Sequence, residues 1–172
     1  MVASALSIVT FGRGKWSGMS QHKATITWSA ATPEYMSGKY SREHIWSFDG
    51  GLTVPASSSP AVVRAPLSNP ANVDPKEAFV ASLSSCHMLT YLHLARLAGF
   101  QIDRYVDEAV GETAKNERGA LWVAKVVLNP QITYGGDKRP TPAEEAELHH
   151  KSHDACFISQ SVKTEVTVAG VA

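Results

Sequence analysis

The sequence predicts an α+β domain with antiparallel sheet, and three observations carry that prediction. A long apolar stretch with helix caps lies in the middle of the chain, a second capped helical stretch lies near its end, and segments of strand-like alternation flank both. The order reads strand, strand, long helix, strand, strand, helix, strand, with no internal repeat.

Residues 22–30 alternate, with Ala24, Ile26 and Trp28 on one face, and read as a strand. Residues 38–48 alternate more clearly: Tyr40, Arg42, His44, Trp46 and Phe48 share one side, and Ser41, Glu43, Ile45 and Ser47 the other. Asp49-Gly50-Gly51 turns the chain. Residues 52–73 are rich in Ser and Pro and are expected to be a long connection with no element of its own, a kind of loop that is often functional.

The connection leads into the long helix, 74–99. Asp74 is its N-cap, Pro75 is preset for the first helical position, and Glu77 completes a capping box. Phe79, Val80, Leu83, Leu89, Leu92, Leu94 and Leu97 recur at three- and four-residue intervals, so the helix is expected to be largely buried, and Gly99 ends it. Ala81, Ser82, Ser84 and Ser85 surround Cys86 with small side chains, leaving room for a backbone or a substrate beside the sulfur.

Residues 102–115 and 120–134 read as a hairpin around Asn116–Gly119. Leu121, Val123 and Val127 on one face and Trp122, Val126 and Leu128 on the other make its second strand central in a sheet. Thr141-Pro142-Ala143-Glu144 is a second capping box and opens a helix that runs to about Asp154, with Cys156 at or just past its end. Val162, Thr164, Val166 and Val168 alternate in a closing strand.

Composition narrows the function classes. The 16 Lys and Arg match 16 Asp and Glu, so the charge balance favours neither nucleic acid nor an anionic membrane surface, and no nucleic-acid motif occurs. No apolar run approaches the roughly 20 residues of a spanning helix. Residues 1–18 have a short apolar part followed, not preceded, by Arg13 and Lys15, the wrong order for a secretory signal. They are read as a disordered extension to a single domain, 19–172, in a cytoplasmic protein.

The two cysteines, Cys86 and Cys156, allow several chemistries. His149, His153 and Cys156 fall at spacings of four and three, and His87 adjoins Cys86, but no standard zinc pattern and no CxxC are present, so no metal is assigned. Histidines on an exposed helix face account for the same residues. Hydrolysis fits poorly, because Cys86 and His87 diverge by about 100° on a helix and Ser84-Ser85 lacks a G-x-S-x-G setting. Two inert buried thiols are a further alternative.

Thiol redox chemistry fits best. A cysteine with an ordinary pKa of about 8.5 is mostly unreactive thiol at neutral pH, and a nearby guanidinium raises its thiolate fraction. Arg42 sits among aromatics on the face expected to be buried, where a permanent charge needs a partner or a purpose; a stem running to the sheet edge or a simple ion pair are the plainer accounts. Glu77 is the carboxylate available to hold it. Cys156 lies at a helix C-terminus, where the macrodipole disfavours a thiolate, which marks Cys86 as the attacking sulfur and Cys156 as the resolving one.

At this point three segments resemble one family. DPKEAFVASLSSCHMLTYLHLARLAGF, AKVVLNPQITYGG and HDACFISQSVKTEV are similar to the OsmC/Ohr family of osmotically inducible and organic hydroperoxide resistance proteins, and the resemblance runs from about Met19 to Val168. SSCHMLTYL resembles the OsmC-like branch more than the Ohr branch. The resemblance implies an OsmC-like fold: antiparallel sheets, a long central cysteine-bearing helix, and an intertwined homodimer that exchanges strands.

It also implies a two-cysteine, thiol-dependent peroxidase without a cofactor, which reduces organic hydroperoxides and hydrogen peroxide through a Cys86 sulfenic acid and a Cys86–Cys156 disulfide. An external dithiol, lipoyl-type or other, would restore the thiols. Arg42 takes the place of the family's active-site arginine. The sequence departs from the family at Lys76, where an acidic residue usually follows the proline, and Glu77 comes one position later, turned by about 100°. The alternatives are a non-catalytic member that binds an apolar small molecule or a metal in the same pocket, and a purely structural dimeric domain.

Overall fold

The computed structural model describes residues 20–30 and 33–171; the extension read at 1–18 lies outside them. The long helix α1 spans Pro75–Leu97. The Asp74 side chain accepts the Lys76 N–H at 2.8 Å and Glu77 returns a carboxylate to the Asp74 N–H at 2.9 Å, so both halves of the expected capping box form. At the other end Gly99 takes φ +81°, a conformation that costs a side chain strain, and the chain leaves the helix there.

Four antiparallel strands form what is, in effect, one long interrupted hairpin. β4 (Gln101–Asp107) pairs with β7 (Pro130–Gly135), and β5 (Val110–Lys115) pairs with β6 (Leu121–Leu128) around the turn at 116–119. The sequence reading has two uninterrupted arms, and the structure breaks each of them. Asp107 Oδ1 takes the Asn129 N–H at 2.6 Å and Pro130 has no N–H to give, so the ladder cannot run through that point. A Cβ on Gly111 would sit 2.5 Å from Val80 Cγ2, which shows how closely β5 approaches α1.

The second helix, α2, spans Pro142–Ala155 behind a complete Thr141–Glu144 capping box, and β8 (Glu165–Val168) closes the fold. β6 is central in the sheet β5-β6-β8, as its apolar pattern predicts. Burial rises along the strand away from the hairpin turn: Leu121 and Trp122 at the turn end are exposed, Val123 packs against the core, and Val126 and Leu128 are buried in it. β8 runs parallel to β6, so this sheet is mixed rather than wholly antiparallel.

The N-terminal sheet has the order β1-β2-β3, with β1 at Ala24–Thr27, β2 at His44–Phe48 and β3 at Thr53–Ala56. The connection expected to lack elements thus contains a strand. Pro55 hid it, and Pro is tolerated because β3 is an edge. Both earlier strands are shorter than their alternation, and Arg42 precedes β2 instead of lying in it. Every residue of β1 is exposed.

α1 holds two clusters together. Tyr91, Leu94 and Ala95 pack with Phe100 and Leu148, and Leu83 packs with Val126 and Leu128. The expectation of a largely buried helix is met on one side only: Leu89 and Leu97 are 61% and 56% exposed. Among the described residues no element covers that side. Among the described residues no helix is long and apolar enough to cross a membrane.

Candidate functional site

The two helices bring the cysteines to one place. Cys86, near the middle of α1, pairs with Cys156, the C-cap of α2, at a Cα–Cα separation of 5.7 Å that a disulfide spans without backbone movement. Cys156 is fully buried and Cys86 half-buried. Cys156 stays at the helix end because its backbone leaves the helix there in an extended conformation, φ −76° and ψ 113°. Its sulfur accepts the Ser159 N–H at 3.4 Å. That donor favours the charged form of the thiol and works against the helix dipole, a contact that no sequence signal announced.

Beside the cysteines the histidines are arranged differently from the exposed face expected for them. His87 and His149 are buried, 0% and 3% exposed, and face each other from α1 and α2 with Nε2 and Nδ1 3.0 Å apart. Their rings are nearly parallel, 12° between planes. Burial pushes His87 down to about 4, helped by electrostatic repulsion from the nearby imidazoles of His149 and His153. Burial pushes His149 down to about 4 as well, with His150 adding to it and Asp107 opposing. Both imidazoles are therefore neutral at physiological pH. The Tyr91 ring lies 4.4 Å from that of His149, and the Tyr91 hydroxyl meets the Tyr134 hydroxyl at 2.6 Å, which in turn donates to Glu145 at 3.1 Å. Among the described residues no group of three or more His, Cys, Asp or Glu side chains is placed to hold a metal ion.

The small residues around Cys86 do open a space. Ala81, Ser84 and Ser85 help to line a groove of about 720 Å³ between α1 and the strands β4 and β5, although Cys86 itself is not part of its wall. Ser84 donates to Asp107 at 2.5 Å within it.

Arg42 and Glu77 are not brought together within one chain. The Arg42 guanidinium lies 3.7 Å above the Tyr40 ring and donates to the carbonyls of Gly38 and Tyr40. It belongs to an aromatic cleft of about 390 Å³ with Trp28 and Tyr35, and it is half-buried there. It makes no hydrogen bond to Glu77 or Cys86 among the described residues; Glu77 is occupied by the capping box. Lys76, the departure from the family pattern, ion-pairs with Asp74 at 2.7 Å. Burial alone would raise the Asp74 carboxyl, but the Lys76 side chain and the N–H groups of Lys76 and Ser59 hold it below its usual value.

Residues 68–169 match the family model described as OsmC-like protein. The chain is 48% identical to an OsmC-like protein of unknown function from Vibrio cholerae O1 biovar eltor str. N16961, covering 87% of this chain and 98% of that one with a TM-score of 0.85. It shares the fold of an organic hydroperoxide resistance protein from Elizabethkingia anophelis, at 19% identity, a TM-score of 0.65, and coverage of 88% of this chain and 97% of that one. A third similar structure is a putative organic hydroperoxide resistance protein from Vibrio cholerae with captopril in one of its active sites, at 21% identity, a TM-score of 0.63, and coverage of 92% and 98%. No curated protein matches the sequence.

Proposed function

From the premise that the chain belongs to the OsmC family, we propose that it is a thiol-dependent peroxidase that reduces organic hydroperoxides. The observation that carries the reading is the pairing of Cys86, on the helix with the small-residue groove, with Cys156 at the end of α2. The organic hydroperoxide resistance proteins that share the fold support it.

The Cys86 thiolate attacks the outer oxygen of the hydroperoxide: an S–O bond forms, the O–O bond breaks, and the inner oxygen leaves as an alcohol after taking a proton. Cys86 is thereby oxidised to a sulfenic acid. The Cys156 thiolate then attacks the Cys86 sulfur, an S–S bond forms, and the S–O bond breaks to release water. An external dithiol returns both thiols by two exchange steps and is itself oxidised to a disulfide. The Ser159 N–H on the Cys156 sulfur assists the thiolate needed for the second step.

The working unit is proposed to be a homodimer. Two surfaces support this: the exposed Leu89–Leu97 side of α1, and the N-terminal sheet, whose β1 is exposed throughout. A second copy that receives this sheet against its α1 would bring Arg42 from one protomer to Cys86 of the other, where the guanidinium would keep the thiolate ionised. Glu77 then serves α1 as the reciprocal partner in its capping box.

The test is mass spectrometry of reduced protein after one equivalent of cumene hydroperoxide, for wild type, Cys86→Ser and Cys156→Ser. Wild type is expected to lose two hydrogens, and Cys156→Ser to carry a trappable sulfenic acid on Cys86. An unchanged wild-type mass would refute the peroxidase reading.

A further inference from the structure

The seam that joins the cysteines carries a second, non-covalent link. His87 follows Cys86 on α1, and His149 precedes Cys156 by seven residues on α2, two helical turns, so it projects from nearly the same side of that helix. The two rings meet at 3.0 Å, buried, under the Tyr91 ring. The other nitrogen of His87, Nδ1, is buried with no hydrogen-bond partner among the described residues. A bare lone pair costs less there than an orphaned N–H, which assigns the His87 proton to Nε2 and makes His87 the donor to His149 Nδ1.

Reduction removes the covalent link between α1 and the end of α2, whereas the His87–His149 hydrogen bond does not involve the sulfurs. We propose that His87 and His149 are positioning residues which hold the Cys156 thiol within reach of Cys86 when the disulfide is open. In turnover the Cys86 sulfenic acid has two fates. Cys156 can condense with it, forming S–S and releasing water, or a second hydroperoxide can transfer an oxygen to it, forming the sulfinic acid and an alcohol. The clamp favours the first by keeping the resolving thiol at high effective concentration. Its role in turnover rests on the peroxidase reading, whereas the clamp itself is measurable without peroxide.

The experiment compares wild type with His149→Asn, His149→Gln and His149→Leu in the full chain. Asn places a polar atom where Nδ1 lies, Gln places one near Nε2 instead, and Leu has none. The first readout is the equilibrium of the Cys86–Cys156 disulfide against a dithiothreitol redox buffer. Asn is expected within about threefold of wild type, and Gln and Leu are expected to be reduced roughly tenfold more readily. Asn and Gln carry the same groups, so their contrast stands even where Leu folds poorly. Equal equilibria for wild type, Asn and Gln would overturn the clamp.

The second readout is oxidation by excess cumene hydroperoxide. Gln is expected to form the Cys86 sulfenic acid as fast as wild type but to accumulate several times more sulfinic acid, and Asn to behave as wild type. Wild type that forms no sulfenic acid would overturn the peroxidase reading and the turnover role with it, and the redox-buffer result would still decide the clamp.

Discussion

Two neutral imidazoles buried against each other make this fold sensitive to acid. In the unfolded chain each titrates near its ordinary value of 6.5, whereas the fold holds each near 4. The unfolded state therefore binds protons first as pH falls. The stability that depends on the pair is fully present above about 6.5 and is lost progressively toward 4. Chemical denaturation at pH 7 and pH 5 is expected to show a loss on the order of 2 kcal/mol per imidazole. A His87→Gln/His149→Asn double variant, which cannot titrate, should lose most of that difference. The neighbouring Tyr91 gives a smaller effect. Burial, with the Tyr134 hydrogen bond, pushes its hydroxyl up, so it remains a neutral partner. Tyr91→Phe leaves Tyr134 its bond to Glu145 and is expected to cost only about 1 kcal/mol in urea denaturation.

Both helices open on capping boxes, and each carries one cysteine, Cys86 within α1 and Cys156 at the end of α2. Asp74 caps α1 and also accepts the Ser59 N–H at 2.6 Å, so it ties the helix to the preceding loop. Asp74→Ala is expected to cost about 2 kcal/mol, and Glu77→Gln, which keeps the reciprocal acceptor, less than about 0.5 kcal/mol, both read by urea denaturation. Thr141→Ala should cost about 1 kcal/mol. The elements also show where sequence patterns mislead. Alternation at 38–48 extended past the strand, because Arg42 and its neighbours face an aromatic cleft and not a ladder partner. Pro55 concealed β3, since a proline reads as a break unless the strand is known to be an edge.

For the whole molecule, the uncovered apolar area is the main unexplained feature of a single chain. Ile26 and Leu89 are 57% and 61% exposed, on the N-terminal sheet and on α1 respectively. Sedimentation of wild type is expected to give twice the chain mass. Leu89→Glu, which would place a charge in the proposed interface, should shift the protein toward monomer at micromolar concentration and lower peroxide reduction with it. The sequence by itself determined the α+β class, both capped helices, the central position of β6 and the presence of two cysteines on those helices, because caps, periodicity and turns are local interactions between residues a few positions apart. The family resemblance in the sequence already implied that Cys86 pairs with Cys156, as the structure has it; only tertiary structure decided that His87 and His149 are buried together instead of exposed, that β8 runs parallel to β6, and that Arg42 and Glu77 lie apart within one chain. Those outcomes depend on which helix faces pack across the α1–α2 seam and on where the N-terminal sheet leaves the rest of the chain, and contacts between residues tens of positions apart leave no periodic trace in the sequence.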